Sequence, residues 1–249
     1  MAGNPWEPAQ QPTAALPGEI HVWRIDLEVP GHAAAGNALL AADEAARAAR
    51  LHYAHHRARF IAGRSALRIL LGGYLATPPR EIRFRYGPRG KPALVPARPG
   101  DTVHFNFSNS GGLGLLAVCV DREVGIDLEM CDRTISEEPL ARHIFSAGEW
   151  TAFDKLPPGR RKQAVLAAWT RKEAYIKALG AGFSLPLNSF SVSVPVDSEP
   201  ALLQLPDSSG AHSNWKFVPL DPHPEYLGSL TARGEDWTLH CFDWQPGPV

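Results

Sequence analysis

The chain has little cysteine. Cys119, Cys131 and Cys241 are the only three in 249 residues, widely spaced and without a CxxC pair. That excludes a disulfide framework or a thiolate metal cluster and fits a reducing compartment. An excess of either charge is also lacking: 25 Lys and Arg stand against 26 Asp and Glu, for a formal net charge of −1. Bulk electrostatics therefore argue against a nucleic-acid or membrane-surface binder. No apolar run approaches the length of a transmembrane helix. The first eighteen residues have neither a basic start nor an apolar stretch, so no signal peptide is expected there. A cytoplasmic protein is expected, with enough apolar residues for one large domain or two small ones.

Residues 1–18, rich in Pro, Ala and Gln, are expected to be a disordered leader, and 246–249 a loose tail. Glu19 to Glu28 alternates apolar and polar residues as a strand does. Helices are expected over Leu39–His52 and Arg57–Tyr74, and strands over Glu81–Tyr86 and Val103–Phe107. Gly114–Val120 and Glu123–Glu129 have the pattern of a hairpin turning at Asp121-Arg122. Helical patterning follows from about Ser136 to Leu156, interrupted near Ser146, and from Arg160 to Leu179, ended by Gly180 and Gly182. Strands are expected at Phe190–Val194, Trp215–Leu220, Gly228–Ala232 and Trp237–Trp244. Strand, helices and antiparallel strands thus occur twice. The expected fold is α+β, with two pseudo-duplicated lobes at 19–122 and 123–245. Each would be an antiparallel sheet with packed helices, and the active site would lie at the lobe interface.

Two segments carry the chemistry. In Gly125-Ile126-Asp127-Leu128-Glu129 a strand would point Asp127 and Glu129 to one face. In Trp169-Thr170-Arg171-Lys172-Glu173-Ala174-Tyr175-Ile176-Lys177 a helix would set Glu173 and Lys177 one turn apart on one face. Three carboxylates form an all-oxygen set suited to a hard divalent cation, and Mg²⁺ is commonly shared between a few carboxylates and substrate phosphates. Lysines nearby would meet the same phosphates. Arginine is concentrated from Arg47 to Lys91, through Arg50, Arg57, Arg59, Arg64, Arg68, Arg80, Arg83, Arg85 and Arg89, which suits a localised anion site or a solvated helix face. His52, His55 and His56 lack a cysteine or acidic residue to complete a metal site, and Ser110 with His104 has no assignable carboxylate for a triad.

These segments resemble the two signatures of the 4′-phosphopantetheinyl transferase superfamily, G-[IV]-D-x-E and W-x-x-K-E-[SA]-x-x-K. Gly90-Lys91-Pro92, Phe105-Asn106-Phe107-Ser108-Asn109-Ser110 and Phe145-Ser146-Ala147-Gly148-Glu149 match further family segments in order. Length and doubled layout resemble the monomeric Sfp type rather than the shorter, oligomeric holo-acyl-carrier-protein synthase type. The resemblance implies transfer of the phosphopantetheine arm of coenzyme A to a serine of an apo acyl or peptidyl carrier protein, releasing adenosine 3′,5′-bisphosphate.

It further implies Asp127, Glu129 and Glu173 as Mg²⁺ ligands, Glu173 as proton acceptor and Lys177 facing the pyrophosphate. Lys172, Arg64 or Arg68, Lys91 with Pro92, and Ser108 with Asn109 would contact coenzyme A. Asn109 stands where family members commonly have a histidine, so that contact is a neutral amide here. Trp169 is expected to pack and fix its helix. Ile144, Phe145 and Trp150 would offer either an apolar surface to the carrier protein or lobe core. Two alternatives share these residues: a non-catalytic coenzyme A or carrier-protein binding module, and a Mg²⁺-dependent coenzyme A pyrophosphate hydrolase.

Overall fold

The computed structural model describes residues 4–96, 102–132, 136–204 and 214–247. The extremes of the expected leader and tail, residues 1–3 and 248–249, lie outside the described residues. In chain order the elements are β1 (Glu7–Ala9), β2 (Glu19–Asp26), α1 (His32–Gly36), α2 (Ala42–Ala49), α3 (Ala54–Leu75), β3 (Phe84–Tyr86), β4 (Pro92–Leu94), β5 (His104–Ser110) and β6 (Leu113–Cys119). They continue as β7 (Val124–Met130), α4 (Glu137–Ile144), α5 (Ala147–Asp154), α6 (Pro158–Leu179), β8 (Ser191–Val192), β9 (Leu202–Gln204), β10 (Trp215–Leu220), β11 (Tyr226–Arg233) and β12 (Thr238–Trp244). This is a mixed α+β protein. No helix among the described residues is long and apolar enough to cross a membrane.

The chain divides into two units. One comprises Pro5–Tyr86, Pro92–Asp121 and the segment from Thr238 onward. Its sheet has the order β1-β12-β2-β6-β5. The inner residues of β2, Trp23 and Ile25, meet Leu67, Leu70 and Leu71 of α3 and Leu116 and Val118 of β6 in a fully buried core. Two expectations change here. The sheet is mixed rather than antiparallel, because β12 runs parallel to both β1 and β2. The leader is also not wholly without structure: Glu7–Ala9 adds the outer strand, and the Trp244 indole donates to Gln10 O at 3.2 Å.

The other unit comprises Gly87–Lys91 and Arg122–Trp237, with Asn4. It holds the antiparallel sheet β10-β11-β7 and the long helix α6. The expected hairpin between β6 and β7 does not form: β6 pairs with β2 and β5, whereas β7 pairs with β11. The residues at the supposed turn are held separately. The Asp121 carboxylate accepts from Gly18 N at 2.9 Å, while the Arg122 guanidinium donates to Arg233 O and Asp236. The tight hairpin lies one strand earlier, with β5 turning into β6 at Gly111-Gly112, where Gly111 takes a positive φ of 55°.

Local signals set the bounds of α6. Pro157 and Pro158 open it, since proline has no N–H to leave unpaired in a first turn. Gly180, at φ 63°, closes it in the left-handed conformation and returns its N–H to Ile176 O and Lys177 O. The break between α4 and α5 falls at Ser146. Its hydroxyl accepts from Glu149 N, and Glu149 reaches back to Ser146 N at 2.7 Å in a reciprocal capping box.

Candidate active site

One missing side chain brings the site's two elements together. A Cβ at Gly125 would fall 2.0 Å from Ala174 O and 2.5 Å from Ala178 N, so α6 crosses β7 with its backbone against that glycine. Gly125 is not among the positive-φ glycines; it is needed for space, not for conformation. Residues two apart in a strand share a face. The side of β7 that α6 covers at Gly125 therefore also carries Asp127 and Glu129, and Ala174 and Ala178 are sequence neighbours of Glu173 and Lys177.

Asp127 is 4% exposed, and its Oδ1 accepts from the Lys177 ammonium at 2.6 Å. Glu129 and Glu173 are half-buried. Burial pushes the Glu173 carboxyl up, the negative charge of Asp127 raises it further, Lys177 opposes that, and Glu129 adds a smaller upward push. Glu173 thus holds a proton more readily than an ordinary carboxylate, as a proton acceptor should. Three carboxylates and one ammonium leave local negative charge that a hard cation would compensate, and the all-oxygen donors suit one. Among the described residues, no three His, Cys, Asp or Glu side chains are already disposed to hold a metal ion. In this arrangement the Lys177 ammonium neutralises Asp127.

The other expected contacts divide. Lys172 does not face a phosphate. It is fully buried, donating to Leu187 O and Phe190 O at 2.6 Å each and to Glu149 Oε2 at 2.8 Å, over the Phe190 ring. The reason is helical geometry: it is one residue, about 100°, from Glu173 and so turns into the core beneath α6. Arg68 is likewise enclosed at 2% exposure, bound to Glu44 Oε2 at 2.7 Å and to the carbonyls of Pro79 and Ile82. Arg64 shares Glu44 through Oε1 and lies over the Phe84 ring at 4.6 Å, but keeps some exposure. Of the two arginines, Arg64 is the more exposed.

Lys91 donates to Ala178 O at 2.8 Å, a carbonyl in the last turn of α6, where cations suit the helix dipole. Pro92 begins β4. Ser108 and Asn109 belong to strand β5 rather than to a loop, Ser108 buried and Asn109 exposed. Ile144 and Phe145 are core residues and offer no docking surface. Trp150 is half-buried under the Arg142 guanidinium, and Trp169 packs against the same core. Sequence reasoning missed Glu44 and the work done by Glu149. The capping-box spacing of Ser146 and Glu149 was the available signal for the second.

Residues 123–231 match the model of the 4′-phosphopantetheinyl transferase superfamily. The chain is 35% identical over 247 residues to the 4′-phosphopantetheinyl transferase HetI of Nostoc sp. (strain PCC 7120), covering 99% of this chain and 98% of that one. It is 33% identical over 157 residues to the 4′-phosphopantetheinyl transferase Sfp of Bacillus subtilis (strain 168), covering 63% and 66%. The holo-[acyl-carrier-protein] synthase of Thermotoga maritima overlays with a TM-score of 0.36 at 21% identity, over 45% of this chain and 62% of that one. The chain belongs to the 4′-phosphopantetheinyl transferase superfamily.

Proposed function

We propose that this protein moves the phosphopantetheine arm of coenzyme A to a serine hydroxyl of an apo acyl or peptidyl carrier protein, releasing adenosine 3′,5′-bisphosphate. It would act as a monomer in the cytoplasm with Mg²⁺. The observation that carries the reading is the gathering of Asp127, Glu129, Glu173 and Lys177 by the Gly125 contact, in a chain of this family.

The attacking oxygen must lose a proton while a doubly anionic pyrophosphate accepts it as nucleophile, so the reaction needs a base, charge neutralisation and alignment. Glu173, with its raised proton affinity, takes the serine proton directly or through a water. Lys177, one turn away, moves its ammonium from Asp127 to the pyrophosphate oxygens. Asp127 and Glu129, with Glu173, would hold a Mg²⁺ ion, which supplies Lewis-acid polarisation of the pyrophosphate. Arg64 is the guanidinium offered to a coenzyme A phosphate, with Asn109 a neutral amide donor.

The test is intact mass spectrometry of an apo acyl carrier protein and an apo peptidyl carrier domain. Each is incubated with coenzyme A, Mg²⁺ and either this protein or its Glu173→Gln variant, with EDTA controls. A gain of one phosphopantetheine, lost with EDTA and with Glu173→Gln, is expected. Coenzyme A binding without carrier modification would favour the binding module, and cleavage of coenzyme A without acceptor the hydrolase.

A further inference from the structure

Leu227, Ser229 and Thr231 of β11 stand directly opposite Glu129, Asp127 and Gly125 of β7. Opposed residues of an antiparallel pair share a face, so all three lie on the side of the sheet that α6 covers. The Thr231 hydroxyl donates to Lys216 O at 3.1 Å. Ser229 differs: it is 1% exposed, and among the described residues its Oγ has no hydrogen-bond partner. An enclosed hydroxyl without a protein partner is a standing cost, and alanine would fill the same place without it.

We infer that Ser229 is a positioning residue, whose hydroxyl donates to the Asp127 carboxylate once a divalent cation has displaced the Lys177 ammonium. In the structure Lys177 fixes Asp127 from the helix side. A cation and an ammonium repel each other at one carboxylate, so loading the ion removes the donor that holds Asp127 in place. A second donor must then orient the ligand, and carboxylates that bind metals are themselves hydrogen-bonded. Ser229 is the cross-strand partner of Asp127, with Cβ atoms of such pairs about 4.5–5.5 Å apart. A side-chain rotation brings a hydroxyl at that spacing into hydrogen-bond reach.

The inference rests on Asp127 being a cation ligand, so its test separates the two ideas. Free Mn²⁺ is followed by electron paramagnetic resonance during titration, in the presence of coenzyme A. The proteins compared are the wild type, Ser229→Ala and Asp127→Asn. Thermal melts are recorded for all three without metal. Ser229→Ala should bind Mn²⁺ about 10–100-fold more weakly, with a metal-free melting temperature equal to or above wild type. Wild-type affinity in Ser229→Ala, with binding lost in Asp127→Asn, overturns the role of Ser229 alone. A lowered metal-free melting temperature in Ser229→Ala overturns it too, because the hydroxyl would then be structural. Equal Mn²⁺ binding by wild type and Asp127→Asn removes both ideas.

Discussion

Replacing Lys172 with methionine removes the ammonium while keeping most of the stem that lines the core under α6. Three hydrogen-bond partners are affected: Leu187 O, Phe190 O and Glu149 Oε2. Removing one partner of a buried ion pair costs about 3–5 kcal/mol, because the other charge stays enclosed. Glu149 keeps the N–H groups of Ser146 (2.7 Å) and Val192 (2.8 Å), which places the loss near the lower end of that range. For a chain of this size, where 1 kcal/mol moves the melting temperature by about 2–4 °C, the expected drop is on the order of 6–12 °C. Thermal melts followed by circular dichroism measure it, and titration calorimetry with coenzyme A, well below the transition, measures binding. A merely structural lysine leaves the coenzyme A dissociation constant unchanged. Loss of a phosphate contact would instead weaken it about tenfold or more, roughly 1.4 kcal/mol, with little change in the melt. That second pattern refutes the placement of Lys172 in the core.

Gly125→Ala should push α6 off β7, since the new methyl meets backbone rather than a flexible side chain. We expect a destabilisation of about 1–3 kcal/mol in urea titrations. Carrier-loading turnover should fall by about 10²-fold, because small misplacements of reacting groups are costly; wild-type turnover would show that Gly125 does not set the approach of Glu173 and Lys177. Glu44 should make stability depend on pH. Burial alone would push its carboxyl up, but Arg68, the Ala41 N–H and Arg64 outweigh that and hold it below its ordinary value. A depressed folded-state value stabilises above the unfolded value, about 4.3, and is lost as pH falls through the folded one. Wild type should therefore lose melting temperature more steeply below that pH than Glu44→Gln, and parallel curves would sink the assignment.

Much of the site was legible because its signals are short-range. Alternation put Asp127 and Glu129 on one face, helical spacing aligned Glu173 with Lys177, and proline and glycine marked the ends of α6. Lys172 was misplaced because its surroundings come from residues 15 and 18 positions on, Leu187 and Phe190, and from Glu149 on another helix. No local pattern distinguishes a lysine that turns inward from one that faces solvent. Gly125 stood in a motif, yet only the crossing helix shows that its role is space. The β6–β7 hairpin failed for a related reason: a short polar link between two apolar runs has the same local appearance whether the strands pair or go to different sheets. Ser229 carries no sequence signal; its interest arises from register and enclosure.

The place of β12 has a consequence for the order in which the chain is made. It lies between β1 and β2, pairing with both, yet it is encoded after nearly everything else. A ribosome that has reached Trp237 has synthesised all of the unit that carries Asp127 and Glu173. The other sheet then still lacks its second strand, and β1 has no neighbour. Strand β12 closes this sheet, so the core that α3 shares with it is completed only once Thr238–Trp244 has been made.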